Sequence, residues 1–253
     1  MTEPNFFIIG AAKAGTTSLS SLLDAHPQAA IGRLKEPHFF SYDLCYQLGW
    51  QRYLSLYEDC SGRKAIGEAS TSYSRVRYHP RAPDRIKKHL PEARIIYMVR
   101  HPLERMEAAY VEHCCTPDRR AFQSINEAVR LEPMIVDSSR YWEVFDAYRQ
   151  RFGESRVAVV WFEEYVVDTT AVFQSVCRFL GIDHTVRPRL AVERMNSRAE
   201  ARARLARIGR GHLVVNTTWD RSTRQAIVKE IRDDNQRFLG HFGRPLDYWG
   251  DLY

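Results

Sequence analysis

The chain has no long apolar run and no recognisable leader. None of its hydrophobic stretches reaches the roughly eighteen residues that a membrane-spanning helix needs, so no transmembrane helix is predicted. The N-terminus passes from Met1 almost directly into an apolar segment, with no basic stretch before it. We therefore expect no secretory signal peptide and a cytoplasmic location.

Cysteine is scarce, and motifs for nucleic-acid binding are missing. The five cysteines are odd in number and lack the spacing of a metal site, so we expect reduced thiols and no bound metal. No zinc-finger spacing, RNP-like aromatic motif or basic run is present. Lys and Arg number 37 against 31 for Asp and Glu, a formal net charge of +6. This modest excess suits an anionic ligand without requiring nucleic acid.

The most informative segment is Phe6–Leu19, where an apolar run passes through a loop of small residues into a helical pattern. This order predicts a strand, a tight loop and a helix. Such a junction turns backbone N–H groups and the positive end of the helix dipole toward a common centre. A lysine and three hydroxyls add further donors. The predicted phosphate-binding residues are Lys13, Ala14, Gly15, Thr16, Thr17 and Ser18.

This loop differs from the standard loop of nucleotide triphosphatases, which reads G-x-x-x-x-G-K-[ST]. Gly10 and Gly15 have the expected spacing, but Thr16 stands where the lysine belongs, and the lysine is Lys13. The lysine that reaches the β- and γ-phosphates of a triphosphate is therefore out of place. The pattern favours a phosphate cradle over a kinase or ATPase, with an ordinary strand–loop–helix junction as the plain alternative.

Apolar strands alternate with helices along much of the chain. This alternation predicts an α/β fold with a P-loop-like parallel sheet flanked by helices on both faces, in a single domain over residues 1–253. Residues 184–216 are rich in arginine and weakly periodic, so a loop is expected there. The predicted strands lie within residues 28–33, which also include a turn, 65–73, where the strand runs into a polar loop, 94–100 and 156–162. The predicted helices cover residues 16–25, 48–57, 83–90, 102–114, 124–131, 138–152 and 169–180.

Arg100 follows the clearest buried strand, at the carboxyl end where open α/β sheets bind ligands. A guanidinium suits bidentate binding of phosphate, although a salt bridge at a strand end is also possible.

The cradle, Lys13 to Leu19, resembles the 5′-phosphosulfate loop of sulfotransferases that use 3′-phosphoadenylyl sulfate (PAPS). Within that family it is similar to the branch of heparan sulfate sulfotransferases and their bacterial relatives.

The segment from Arg100 to Tyr110 is similar to the family pattern R-x-P-x-x-R-x-x-S-x-Y. Arg100, Pro102, Arg105 and Tyr110 match it. The resemblance implies that Arg100 binds the 3′-phosphate of PAPS together with the serine of the pattern. Ala108 occupies the serine position, and a lost hydroxyl contact to a charged group is worth roughly 1.5–3 kcal/mol.

The loop Lys35–Phe40 matches the family segment that supplies the catalytic base. The resemblance implies that Glu36 takes the proton of the attacking hydroxyl, that Lys13 stabilises the leaving phosphate, and that His38 orients the acceptor or shares the proton. The plain alternative is a solvated Glu–His pair. Sulfuryl transfer does require a base near the attacking oxygen and cations around the leaving group.

Later segments resemble the family less closely. The segment Glu68–Tyr73 is similar to a strand-end loop that lines the substrate cleft, with Ala69 where some glycan-modifying members have lysine. The plain alternative is that Ser70 and Ser72 cap a helix. Only Asn196 and Arg202 match the late loop that closes over the 3′-phosphate in the family. A solvated basic helix also explains the arginines of this segment. Residues 239–249 resemble the C-terminal helix and its tryptophan anchor.

The sequence therefore predicts an enzyme that transfers a sulfuryl group from PAPS to a hydroxyl of a small-molecule or glycan-like acceptor, without a metal. A role in secondary metabolism is expected, because the chain is compact and carries no membrane anchor in its sequence. Two alternatives remain open at this point. One is a small-molecule kinase that uses the same cradle, and the other is a nucleotide-binding protein without catalytic activity.

Overall fold

The computed structural model describes residues 2–187 and 198–252, with the backbone alone at 198–200 and at 251. It divides the chain into two compact units, one of Met1–Arg100 with Glu143–Val192 and one of His101–Trp142 with Glu193–Tyr253. Within the described part of the chain, no helix combines the length and apolarity that crossing a membrane requires.

The first unit is built on a five-stranded parallel sheet in the order β2-β3-β1-β4-β5. Four strands are almost completely apolar, and every residue of β1 is buried, as expected for a sheet that helices cover on both faces. The strands are β1 (Phe6–Gly10), β2 (Ala29–Ile31), β3 (Ala65–Ala69), β4 (Arg94–Val99) and β5 (Val157–Trp161).

The helices of the described residues follow in chain order. They are α1 (Thr16–Asp24), α2 (Asp43–Gln47), α3 (Trp50–Leu54), α4 (Ala82–His89), α5 (Pro102–Cys114), α6 (Ile125–Leu131), α7 (Met134–Asp137), α8 (Tyr141–Phe152), α9 (Phe162–Val167), α10 (Thr169–Leu180), α11 (Arg198–Arg207) and α12 (Arg221–His241). Short 3₁₀ turns lie at Ser55–Cys60, Thr71–Ser74, Glu154–Arg156 and Gly250–Leu252.

The α/β class and the parallel sheet predicted from the sequence are confirmed. Several element ends follow the local signals, as at α5, where Pro102 takes the first helical position and His101 accepts a hydrogen bond from the Glu104 amide. The helix predicted over 48–57 is instead α3 followed by a 3₁₀ turn, and the one predicted from 138 begins at Tyr141. The prediction of a single domain over 1–253 stays a prediction.

The loop predicted over residues 184–216 is wrong for 198–207, which form α11. Arginine and alanine favour helix, and burial of Leu205 gives the helix an apolar side. Arg204 pairs with both carboxylate oxygens of Glu112 at 2.7 Å, which ties α11 to α5 within the second unit. Asn196 of the predicted late loop lies outside the described residues.

Candidate active site

The carboxyl ends of β3, β1 and β4 lie side by side in the sheet. The chain runs outward from β1 in both directions, toward β3 on one side and β4 on the other, so this edge is the switch point at which α/β sheets bind ligands. The loop after β1 is the predicted phosphate cradle, the segment after β3 is the 3₁₀ turn Thr71–Ser74, and the residue after β4 is Arg100. The topology thus brings three of the predicted segments to one edge.

The cradle is closed by Gly15, which directly precedes α1. Its φ of 94° lies in the left-handed region, and a Cβ there would approach Phe162 to 3.1 Å and Met98 to 3.3 Å, so glycine is required on both grounds. The Leu19 amide makes the first helical hydrogen bond, to the Gly15 carbonyl. The amides of Thr16, Thr17 and Ser18 lie in the first turn, where a helix presents N–H groups to an anion.

Arg100 lies against the same loop. Its Nη1 donates to the Lys13 carbonyl at 3.4 Å, and its guanidinium carbon lies 4.6 Å from the centre of the Phe162 ring. Helix α9 also reaches the cradle through Tyr165, whose hydroxyl is 2.8 Å from the Ser18 hydroxyl. The structure therefore brings Arg100 and the cradle together, with α9 behind both.

Glu36 and His38 lie together in the loop between β2 and α2. The His38 Nε2 is 3.7 Å from the Glu36 Oε2, and the two side chains are 29% and 31% exposed, so substrate can reach both. The hydroxyl of Thr71 donates to the same Glu36 oxygen at 3.2 Å, and the Ser72 hydroxyl lies 2.8 Å from the His38 Nδ1. The pair is thus held in place from the turn after β3.

That turn joins the Glu–His pair to the cradle. Thr71 and Ser72 contact Glu36 and His38, and Ser74 lies so close to Gly10, the last residue of β1, that a Cβ at Gly10 would overlap its hydroxyl. Ser72 therefore contacts the site directly and does not cap a helix from outside. The sequence indicates this segment by its position after a strand, but it does not indicate which residues its hydroxyls contact.

Backbone strain concentrates at the same residues. In the described part of the chain, four residues other than glycine have positive φ, and three of them are Lys13, Glu36 and His38, with φ of 71°, 50° and 55°. Left-handed conformations cost free energy for residues with a side chain and cluster at functional sites. The three residues given catalytic roles by the resemblance are thus held in conformations that the fold must stabilise.

Glu68, near the end of β3, is buried and does not face a ligand. Its Oε2 accepts hydrogen bonds from the hydroxyls of Tyr53, at 2.8 Å, and Tyr57, at 2.5 Å, and the residue is 1% exposed. Burial raises the pKa of the Glu68 carboxyl. A kinase would need a strand-end carboxylate open to Mg²⁺, and this carboxylate is enclosed by tyrosines.

The two remaining predicted site residues belong to the second unit. Ala108 is half-buried on α5, and Arg202 is exposed on α11. Their roles toward the donor stay predictions. Arg105, the second arginine of the motif, is buried in this unit, where its Nε donates to the Ser139 hydroxyl at 2.6 Å and its guanidinium to the Ile135 carbonyl. Arg105 is therefore a packing residue.

Potential metal ligands are dispersed. Among the residues that the structure describes, no three His, Cys, Asp or Glu side chains come together as a metal site would require. The cysteines of the chain are free thiols, and burial raises the pKa of Cys60, of Cys114 and of Cys177, the last to about 12. These three thiols are therefore poor nucleophiles.

The cradle and Arg100 lie at the carboxyl ends of neighbouring strands, with Glu36 linked to the same end of the sheet through Thr71. Comparison with known proteins names the family. Residues 45–186, more than half of the chain, match the sulfotransferase family. The chain belongs to that family. The match begins after the cradle and after Glu36, so the roles of those two segments stay predictions.

Among curated proteins, human heparan sulfate glucosamine 3-O-sulfotransferase 6 is 30% identical over 190 residues, 72% of this chain and 54% of the relative. The chain therefore spans about half the length of this relative. Among solved structures, a sulfotransferase from Alicyclobacillus acidocaldarius has a TM-score of 0.77 at 26% identity, covering 98% of this chain and 99% of its own. A mouse sulfotransferase solved with PAP has the same fold, with a TM-score of 0.56 at 16% identity over 96% and 89% of the two chains.

Proposed function

We propose that the protein is a sulfotransferase that moves the sulfuryl group of PAPS to a hydroxyl of a small-molecule or glycan-like acceptor. One observation carries the proposal: the turn Thr71–Ser74 contacts Glu36 through Thr71 and the end of β1 through Ser74. A carboxylate base is thereby anchored beside a phosphate cradle, which is the pairing that transfer from a phosphosulfate requires.

The cradle suits the phosphosulfate end of the donor. The first-turn amides of α1 and the charge of Lys13 suit the 5′-phosphate, whose bridging oxygen gains charge as the sulfuryl group leaves. Arg100 suits the 3′-phosphate, because its guanidinium lies beside the cradle and carries a planar set of donors. Desulfonation then yields adenosine 3′,5′-bisphosphate.

The reaction is an in-line displacement at sulfur. The acceptor oxygen forms a bond to sulfur while the bond from sulfur to the bridging phosphate oxygen breaks. Glu36 takes the hydroxyl proton, and Lys13 stabilises the negative charge on the departing phosphate. A positioned base contributes typically 10²–10⁴-fold to such a step, and the electrostatic groups a similar factor.

The acceptor is proposed only as a class. The curated relative named above acts on heparan sulfate glucosamine according to its name. Ala69 replaces the lysine that the resemblance associates with some glycan-modifying members, which supports a small or weakly charged hydroxyl acceptor over a sulfated polymer. A cytoplasmic role in secondary metabolism is part of the same proposal.

The proposal is tested by transfer of ³⁵S from labelled PAPS to a panel of phenols, alkyl alcohols, amino sugars and desulfated heparan fragments, in the presence of EDTA. We expect labelled product with at least one hydroxyl acceptor and stoichiometric release of the bisphosphate. Phosphate transfer from ATP with Mg²⁺, with no sulfuryl transfer across the panel, would show that the protein is a kinase instead.

A further inference from the structure

Two buried serine hydroxyls lie behind His38, and the reaction as proposed gives neither of them a role. The Ser72 hydroxyl is 2.8 Å from His38 Nδ1 and 2.7 Å from the Ser41 hydroxyl. Ser72 is completely buried and Ser41 is 6% exposed. The contacts therefore form a short chain from Ser41 through Ser72 to one ring nitrogen, while the other ring nitrogen faces Glu36.

The direction of this chain follows from the carboxylate at its far end. Glu36 Oε2 lies 3.7 Å from His38 Nε2 and already accepts a hydrogen bond from Thr71. A proton on Nε2 is attracted to that oxygen, whereas a lone pair on Nε2 is repelled by it. With the proton on Nε2, Nδ1 is an acceptor, so Ser72 must donate to it and Ser41 must donate to Ser72.

We infer that Ser72, supported by Ser41, is a positioning residue that holds His38 as the neutral tautomer with its proton on Nε2. In this state His38 donates a hydrogen bond toward Glu36 or toward a reacting oxygen and takes up no proton at Nδ1. Glu36 is then the sole proton acceptor of the pair. The catalytic role of this arrangement rests on the proposed function, whereas the tautomer is a property of the protein without substrate.

The surroundings of His38 support a neutral ring. Burial lowers the pKa of His38, the nearby Glu36 carboxylate raises it, and Arg75 lowers it again. The ring of Tyr42 lies 5.0 Å from His38 and 4.8 Å from His79. Burial, Arg75 and His38 lower the pKa of His79, while Asp43 raises it. A hydrogen bond donated to Nδ1 by Ser72 favours the same neutral form.

The test is ¹⁵N–¹H correlation of the histidine rings in uniformly labelled protein without substrate, with the His38 signals assigned from a His38→Gln sample. We expect the Nε2–H tautomer of His38 in the wild type. In Ser72→Ala we expect loss of that preference and a higher pKa of His38. Ser138→Ala is the matched control, since its buried hydroxyl donates to the Met134 carbonyl at 2.8 Å in the second unit.

The kinetic readout follows from the same change. In Ser72→Ala, kcat should fall roughly five- to tenfold at neutral pH, the equivalent of one hydrogen bond, and fall further toward pH 6 as the imidazolium forms beside Glu36. An Nδ1–H tautomer in the wild type, or unchanged His38 signals in Ser72→Ala, overturns the inference. Absence of sulfuryl transfer with the expected tautomer instead refutes the proposed function and leaves the positioning of His38 intact.

Discussion

Glu36 carries the proposed chemistry at the scale of the single residue. Its carboxylate is held by Thr71 and faces His38, while remaining exposed enough to meet an acceptor. These contacts fix one oxygen, Oε2, and leave the carboxylate able to accept a further proton. The left-handed φ of Glu36 shows that the loop is shaped to place this side chain even at a conformational cost.

Glu36→Gln should lower kcat by about 10²–10⁴-fold, the usual contribution of a positioned base. The amide keeps the shape of the side chain and its acceptor oxygen, so affinity for adenosine 3′,5′-bisphosphate should stay within about twofold of the wild type. Both quantities are measurable by the ³⁵S assay and by calorimetry. Glu58→Gln, at an exposed position, is the control. Retained turnover in Glu36→Gln would remove Glu36 from the role of base.

Glu68 gives a pH-dependent prediction of stability. Burial raises the pKa of its carboxyl in the folded state, so the folded protein holds this proton at pH values where the unfolded chain has lost it. The contribution is therefore fully present below the unfolded pKa and is lost as pH rises through the folded pKa. Glu68→Gln cannot ionise and escapes this loss.

The free energy of unfolding of Glu68→Gln, relative to wild type, should therefore improve as pH rises from about 4 toward neutrality. Urea denaturation at several pH values measures it. Glu58→Gln, which alters an exposed carboxyl, should show little dependence of this kind. A difference that stays constant with pH would mean that folding does not shift the pKa of Glu68, and a difference that falls as pH rises would mean that the tyrosines hold it ionised.

Helix α9 is the element that supports both groups proposed to bind phosphate, the cradle and Arg100. Phe162 lies under the Arg100 guanidinium and within van der Waals reach of any Cβ at Gly15, and Tyr165 contacts the Ser18 hydroxyl. Burial raises the pKa of Tyr165, which therefore stays a neutral hydroxyl at working pH. A short helix of six residues thus fixes the relative positions of the cradle and Arg100.

Phe162→Leu keeps an apolar side chain but removes the ring face beneath Arg100. We expect affinity for adenosine 3′,5′-bisphosphate to fall about threefold to thirtyfold, the range of a cation–π contact. Affinity for AMP, which lacks the 3′-phosphate, should change less. Phe173→Leu, a buried change in α10, controls for general loss of stability and should leave the ratio of the two affinities unaltered. Equal losses for both nucleotides would contradict the role given to Arg100.

At the scale of the molecule, the sequence was sufficient to predict the sheet and the order of its segments. Short apolar runs such as Ile95–Val99 leave few alternatives to a buried parallel strand, and the cradle and Arg100 stand directly after such runs. Parallel connectivity then places both at one edge of the sheet. This is why the sequence could predict that the cradle and Arg100 lie together.

The contacts that hold the site residues in place could not be predicted from the sequence. Ser72 is 34 residues from His38, and Tyr165 is 147 residues from Ser18, so neither pairing leaves a local pattern. Helix α11 is a different case: its weak apolar period favours a loop, and a solvated basic helix is only the alternative, although alanine and arginine have a strong intrinsic preference for helix. Contacts between hydroxyls far apart in the sequence can be identified only once the fold is known, whereas α11 can be predicted from the helix propensity of its residues.

The protein is proposed to recognise the 3′-phosphate of an adenylyl donor, and calorimetric titration tests this recognition most directly. Adenosine 3′,5′-bisphosphate should bind at least about tenfold more tightly than AMP, the equivalent of one charge-assisted contact. It should also bind more tightly than ATP with Mg²⁺, and EDTA should leave its affinity unchanged. The account would be contradicted if ATP with Mg²⁺ bound most tightly, or if AMP and the bisphosphate bound equally well. Arg100 would then not have the role proposed for it.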